Sequence, residues 1–167
     1  MTAPSADVTA IPAVWSGEVL AEHIDENGHM NLLHYVELNA RAIGLLMDRV
    51  GLDAGHRQRA DVGLFTLEQR VTYRSEMLVG RRMSVRPAAL DRSDSVVHTV
   101  SYLVDEDSGA ISSTLEQTVM SVSRATRRAV PFPPWAAARL DEAIATTGAT
   151  AARPDPACGR IGIRRRG

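Results

Sequence analysis

The segment from Leu32 to Val50, "LLHYVELNARAIGLLMDRV", constrains this chain more than any other. Its polar residues fall mainly at His34, Glu37, Arg41 and Asp48, and Gly44 completes that stripe at steps of three and four. Leu32, Leu33, Val36, Leu38, Ala42, Ile43, Leu45, Leu46 and Met47 leave apolar surface nearly everywhere else. The pattern predicts one helix, and so narrow a polar stripe predicts a helix covered on several sides. Asn31 suits its N-cap and Gly51 the left-handed position after its last turn. Glu37 and Arg41 can pair at i,i+4, but such a pair contributes only about 0.2–0.5 kcal/mol. Burial decides this helix.

The rest of the chain supplies strands to cover it. "AVWSGEVL" alternates loosely and reads as a first strand ending near Ile24. "GLDAGHRQRADVG" reads as a loop. "LFTLEQRVTYRSE" places Phe65, Leu67, Gln69, Val71 and Tyr73 on one face. "RRMSVRPAAL" alternates too, with Pro87 marking an edge or a bulge. "SVVHTVSYLV" and "ISSTLEQTVMSVS" flank the acidic turn "DEDSGA" as a hairpin, and "PFPP" stops the last strand. The order of strand, long helix and consecutive strands predicts an α+β fold, a curved antiparallel sheet wrapped around one buried helix. Such a sheet leaves edges and part of the helix open, so a homodimer or homotetramer is expected to close them. The expected organisation is a flexible N-terminus over 1–12, the domain over 13–134, a terminal helix over 135–149 and a flexible basic tail over 150–167.

Composition narrows the function. Hydrophobic residues make up 44% and charged residues 23%, which marks a globular chain. A net charge of −1 provides no drive toward nucleic acid or membrane, and no segment approaches the length of a membrane span. All 19 basic residues are arginine, a compositional habit rather than a binding signal. Cys158 is the only cysteine, so neither a disulfide within the chain nor a cysteine metal pair can form. With no secretory signal in "MTAPSADVTAIPAVW", a cytoplasmic protein is expected.

The densest polar chemistry is "HIDENGHMNLLHY", His23 to Tyr35, at the mouth of the helix. His23, Asp25, His29 and His34 could ligate zinc or iron by type. The five-residue step from His29 to His34 swings those rings to different helix faces, so no metal is expected. Phosphate-cradling glycine loops and a GxSxG elbow are absent from the sequence. A purely structural reading makes Asp25 and Asn27 turn residues, Asn31 a cap, His29 a histidine bonded to backbone and Tyr35 core.

A first strand, "IDENGHMNLLHY" opening a helix, then "TYRSEMLVG" and three more strands resembles the hotdog-fold acyl-CoA thioesterases. The likeness is to the branch around 4-hydroxybenzoyl-CoA thioesterase with its Asp-x-x-Gly-His-x-Asn segment. It runs from about Val14 to Pro134 and includes Tyr73, Glu76 and Gly80. The resemblance implies that Asp25 is the catalytic carboxylate; where many relatives carry a second aspartate two residues earlier, this chain has His23. Thioester hydrolysis needs a nucleophile or general base and donors for the developing oxyanion. Asp25 can attack the carbonyl carbon or activate water, with His29 as helper. Gly28 allows the backbone to approach the substrate, and the amides at the helix start, by Asn31, Leu32 and Leu33, can hold the oxyanion.

Tyr35 and Tyr73 are candidates to line the acyl pocket, and Arg124, Arg127 and Arg128 to meet the phosphates of CoA. No cofactor is implied beyond CoA, which is part of the substrate. Some relatives with a "GHM" segment serve carnitine and betaine catabolism, where a quaternary ammonium favours an aromatic cage. A hotdog enoyl-CoA hydratase or dehydratase and a non-catalytic acyl-CoA binder are the alternative readings.

Overall fold

Helix α1 (Leu32–Arg49) forms where its apolar spacing predicts it. In the computed structural model, which describes residues 8–148 and 161–163, its buried face is Tyr35, Asn39, Ala42, Ile43, Leu46 and Met47. Those positions recur every three or four residues, the spacing of one helical face. The Asn31 side chain accepts the Leu33 N–H at 2.9 Å, closing the N-terminus. At the other end the Leu52 N–H reaches the Met47 carbonyl at 3.0 Å and the Gly51 N–H reaches Asp48 at 2.9 Å. Gly51 holds φ at 91°, the left-handed conformation that such a double closure needs.

Five strands, β1 (Trp15–Glu18), β2 (Val62–Tyr73), β3 (Arg82–Arg92), β4 (Val96–Asp105) and β5 (Ile111–Ser123), pair antiparallel in the order β1-β3-β4-β5-β2. On one face Ile43, Leu46, Met47 and Val50 of the α1 region pack against Ala89, Val97, Leu115 and Val119. Helix α3 (Pro134–Ala143) adds Ala136 and Leu140 to that core. Each large side chain buried there contributes about 1.5–3 kcal/mol. The charged surface of α1 contributes far less, and Glu37 lies 3.9 Å from His34 rather than pairing with Arg41. This is the α+β arrangement expected, a curled sheet against one long helix.

The opposite sheet face is covered as well. Val8 and Ile11 pack on Ala88, Leu90, Val100, Tyr102 and Val104. Both fall in the N-terminal stretch read as flexible, and at 3% and 1% exposure they are fixed by that apolar contact. On the same face Glu116 accepts from Arg70 at 2.8 Å and meets His98 at 2.8 Å. With both faces covered, β5 buries even Ser112, Ser113, Thr114, Thr118 and Ser121. The expectations for residues 1–7, 149–160 and 164–167 fall outside the described residues.

Three details differ from the sequence reading. Residues 51–63 are not all loop: Ala54–Arg59 forms a short helix, α2, capped by Asp53 accepting the His56 N–H at 2.8 Å. Gly55 inside so short a segment hides the helical pattern. In β2 the register shifts between Thr66 and Glu68, so Thr66, Gln69 and Val71 stand opposite Val119, Gln117 and Leu115. That bulge moves Phe65 off the face it was expected to share with Gln69, Val71 and Tyr73. Finally, among the described residues α1 is covered on one side only, since Leu32 and Leu33 remain 55% and 67% exposed.

Pro87 sits between β1 and β4 yet costs no ladder bond. Val14 donates to the Val85 carbonyl, which fixes the side of β3 facing β1, and β1 pairs no further along β3 than Val85. Pro87, two residues on, turns its missing N–H to the stretch where β1 has ended. Among the described residues no helix is long and apolar enough to cross a membrane.

Candidate active site

The loop between β1 and α1 is tied down at both of its ends. Ile24 and Met30 form a bridge, Asp25 donates its N–H to the His29 carbonyl at 3.1 Å, and Gly28 donates to the Asp25 carbonyl at 3.0 Å. Gly28 has φ 81°, so "DENGH" is a tight three-residue hairpin turn whose last position favours glycine. The Met30 N–H reaches the Met77 carbonyl at 2.8 Å and the Asn31 N–H reaches the His23 carbonyl at 2.8 Å. This small hairpin carries Asp25 to the mouth of α1.

The Asp25 carboxylate has two neighbours. Oδ1 accepts the Asn27 N–H at 2.9 Å, and Oδ2 lies 3.5 Å from the Asn31 side-chain amide, a long contact. His29 Nδ1 lies 3.2 Å from the Met30 carbonyl oxygen. The cap takes the Leu33 amide, and the His34 amide goes to the Asn31 carbonyl at 3.0 Å. Of the helix-start donors foreseen for an oxyanion, Leu33 is therefore occupied. The Leu32 N–H has no acceptor among the described residues.

A pocket of about 370 Å³ opens in front of these groups, lined by Asp25, Asn27, His29, Met30, Leu32, Tyr35, Tyr73, Arg74, Ser75 and Glu76. Tyr35 and Tyr73 meet edge to face, with centroids 5.5 Å apart at 86°. The Tyr35 hydroxyl accepts the Met77 N–H at 2.9 Å. Burial pushes the Tyr35 phenol above its ordinary range; the Met77 N–H counters this, while Glu76, Tyr73 and Asp25 push it further up. The segment after β2 is thus held twice to the Asp25 side of the site, through Tyr35 and through Met30. Sequence reasoning did not place Arg74, Ser75 or Glu76 in the pocket; the signal was the polar "YRSE" closing an amphipathic strand.

The other candidates lie elsewhere. His23 accepts the Leu20 N–H at Nδ1, at 3.0 Å, and its ring packs 4.6 Å from that of His34. Both line a separate pocket with Trp15, Glu22, Glu37, Leu38 and Arg41. The four conceivable metal ligands thus divide into two pairs, and no group of three or more metal-binding side chains occurs among the described residues. Arg124 lines a groove beside Phe65, and the Arg127 guanidinium lies 5.3 Å from the Phe65 ring centroid. Arg128 follows in the turn after β5. Ser123 pairs with Val62 and Ser113 with Tyr73, so these arginines stand at the opposite end of β2 from the Asp25 pocket. At about 3.3 Å per residue the separation along the strand is roughly 30 Å.

Residues 19–140 match the family described as the thioesterase-like superfamily. The betainyl-CoA thioesterase of Pseudomonas aeruginosa is 34% identical over 125 residues, covering 74% of this chain and 77% of that protein. An L-carnitine dehydrogenase/betainyl-CoA thioesterase of Rhizobium meliloti is 26% identical over 89% of this chain, which spans only 29% of that longer protein. Among solved structures, a Staphylococcus aureus protein in complex with CoA superposes with a TM-score of 0.80 at 27% identity, covering 90% of this chain and 94% of that one. The fold, the family match and these relatives agree with one another: this chain belongs to the thioesterase-like superfamily and is a hotdog-fold acyl-CoA thioesterase.

Proposed function

We propose that the chain hydrolyses a short acyl-CoA, with a betainyl thioester as the favoured substrate, and that Asp25 carries the chemistry. The supporting observation is the placement of the Asp25 carboxylate in one pocket with the unpaired Leu32 amide at the start of α1. The carboxylate attacks the thioester carbonyl or deprotonates the water that does. The Leu32 N–H, reinforced by the helix dipole, meets the oxygen as it becomes negative. Asn27 and Asn31 orient the acid, and His29 lines the wall beside it. The reaction draws on water and these groups, with CoA entering as part of the substrate. The betainyl assignment rests on the similarity to the Pseudomonas aeruginosa enzyme.

The working unit we propose is a homodimer or homotetramer in the cytoplasm. Strand β2 is an edge of the sheet, and Leu32, Leu33, Leu67 and Tyr73 are exposed. A twofold pairing centred on β2 would cover them. It would also bring Arg124, Arg127 and Arg128 of one copy beside the Tyr73 end of the other, within reach of CoA phosphates.

Asp25→Asn tests the chemistry. Asparagine can still accept the Asn27 N–H, so the turn persists while the negative charge is lost. Thiol release from betainyl-CoA is expected to fall at least a hundredfold, with an unchanged far-UV spectrum. Retention of wild-type turnover would refute the assignment.

A further inference from the structure

The chain has seven aromatic residues, and they do not converge on one place. Trp15 lines the His23–His34 pocket, Trp135 packs on His56, Tyr102 lies on the outer sheet face, Phe132 is core, and Phe65 sits under Arg127. Tyr35 and Tyr73 alone line the Asp25 pocket, and there they stand beside a second carboxylate, Glu76. No ion pair engages Glu76 among the described residues. Its neighbour Met77 is fully buried, with its N–H on Tyr35 and its carbonyl on Met30, so Glu76 is carried on a fixed stretch of backbone.

We infer that Glu76, with the rings of Tyr35 and Tyr73, forms the subsite that selects a quaternary ammonium at the far end of the acyl group. A trimethylammonium group offers no hydrogen-bond donor; it is recognised by aromatic rings and by anionic charge at a distance. The pocket supplies both. Glu76 and Asp25 line the same pocket as the two rings, so both carboxylates place negative charge beside the aromatic pair. Arg74 also lines the pocket, but one guanidinium against the two carboxylates leaves the formal charge of the lining negative. A neutral branched acyl group of the same shape fits the volume and gains nothing from the field. Glu76 is therefore a specificity-determining residue, distinct from Asp25 in what it does.

This inference rests on the thioesterase reading above, and the experiment separates the two. The probes are betainyl-CoA and its neutral isostere 3,3-dimethylbutanoyl-CoA, in which carbon replaces the nitrogen. The enzymes are the full chain and its Glu76→Gln and Tyr73→Leu variants, each checked by thermal melt. Wild type is expected to favour the cation in kcat/KM by tenfold or more. Glu76→Gln should lower the betainyl value about tenfold and leave the isostere within twofold; Tyr73→Leu should lower the betainyl value severalfold more than the isostere. Equal losses on both substrates, the mark of a merely structural role, would overturn the subsite, as would an unchanged ratio. A wild type that hydrolyses butyryl-CoA but not betainyl-CoA overturns the subsite and the betainyl preference and leaves thioester hydrolysis standing. One that hydrolyses no acyl-CoA overturns the thioesterase reading as well.

Discussion

Replacing Tyr35 by phenylalanine removes one oxygen and tests how the site is held together. Met77 is fully buried, and its N–H donates to the Tyr35 hydroxyl at 2.9 Å. Phenylalanine keeps the ring among Val19, Met30, Met77, Met83 and Leu103, and keeps the edge-on contact with Tyr73, so the apolar contribution is unchanged. What changes is a buried donor left without an acceptor, which costs about 1–3 kcal/mol. For a chain of this size each kcal/mol lowers the melting temperature by about 2–4 °C, so a fall of roughly 2–12 °C is expected. The loss is local: the Met77 amide should exchange with deuterium faster, and Glu76 beside it should lose its fixed position. KM for the thioester should rise more than kcat falls, because Asp25 is untouched. Tyr73→Phe is the control, since the Tyr73 hydroxyl has no partner among the described residues and the side chain is 48% exposed. A Tyr35→Phe protein that melts with wild type and keeps its Met77 amide protected would refute the reasoning.

Two further outcomes follow from the same physics. Gly51→Ala should destabilise the protein by about 1–3 kcal/mol in urea unfolding. The left-handed φ of 91° strains any side chain, and a Cβ there would come within 2.7 Å of both the Trp135 ring and Arg139. Unchanged stability would show that α1 ends differently. Stability should also fall above about pH 10, because burial raises the phenols of Tyr35 and Tyr102 above the unfolded value. A raised folded pKa favours the native state below pH 10 and withdraws that advantage as pH climbs toward the folded value. Each tyrosine contributes a slope of at most about 1.4 kcal/mol per pH unit in that window. Melts from pH 9 to 11.5 check this, and Tyr102→Phe should flatten the decline.

The helix and the Asp25 turn were legible in the sequence because both are local. Apolar spacing over 32–50, an asparagine before it and a glycine after it are sufficient to set α1, and the left-handed Gly28 serves a turn contained in seven residues. Glu76 was not legible as a pocket residue, because its place depends on Met77 reaching Tyr35 across 42 positions of sequence. Nor was Asn39 read as core. It is fully buried in α1, donating to the Tyr35 carbonyl and to Ser113 Oγ at 2.9 Å each, and a single polar residue in an apolar stripe gives no sign of a partner on β5. The β2 bulge was hidden for a related reason. Alternation continues to look regular through Leu67, and only pairing with β5 reveals the extra residue.

Asn31 binds the helix start and the acid into one unit. Its Oδ1 accepts the Leu33 amide, and its Nδ2 faces Asp25 Oδ2. A serine or aspartate could cap α1 equally well, but neither provides an N–H for the carboxylate. The same cap removes Leu33 from the pool of oxyanion donors and leaves Leu32, one residue nearer the acid in sequence, with its N–H open. Capping is thus not a competing explanation for this asparagine. By satisfying one amide and holding one carboxylate, it sets, in the mechanism we propose, which donor and which acid meet the substrate.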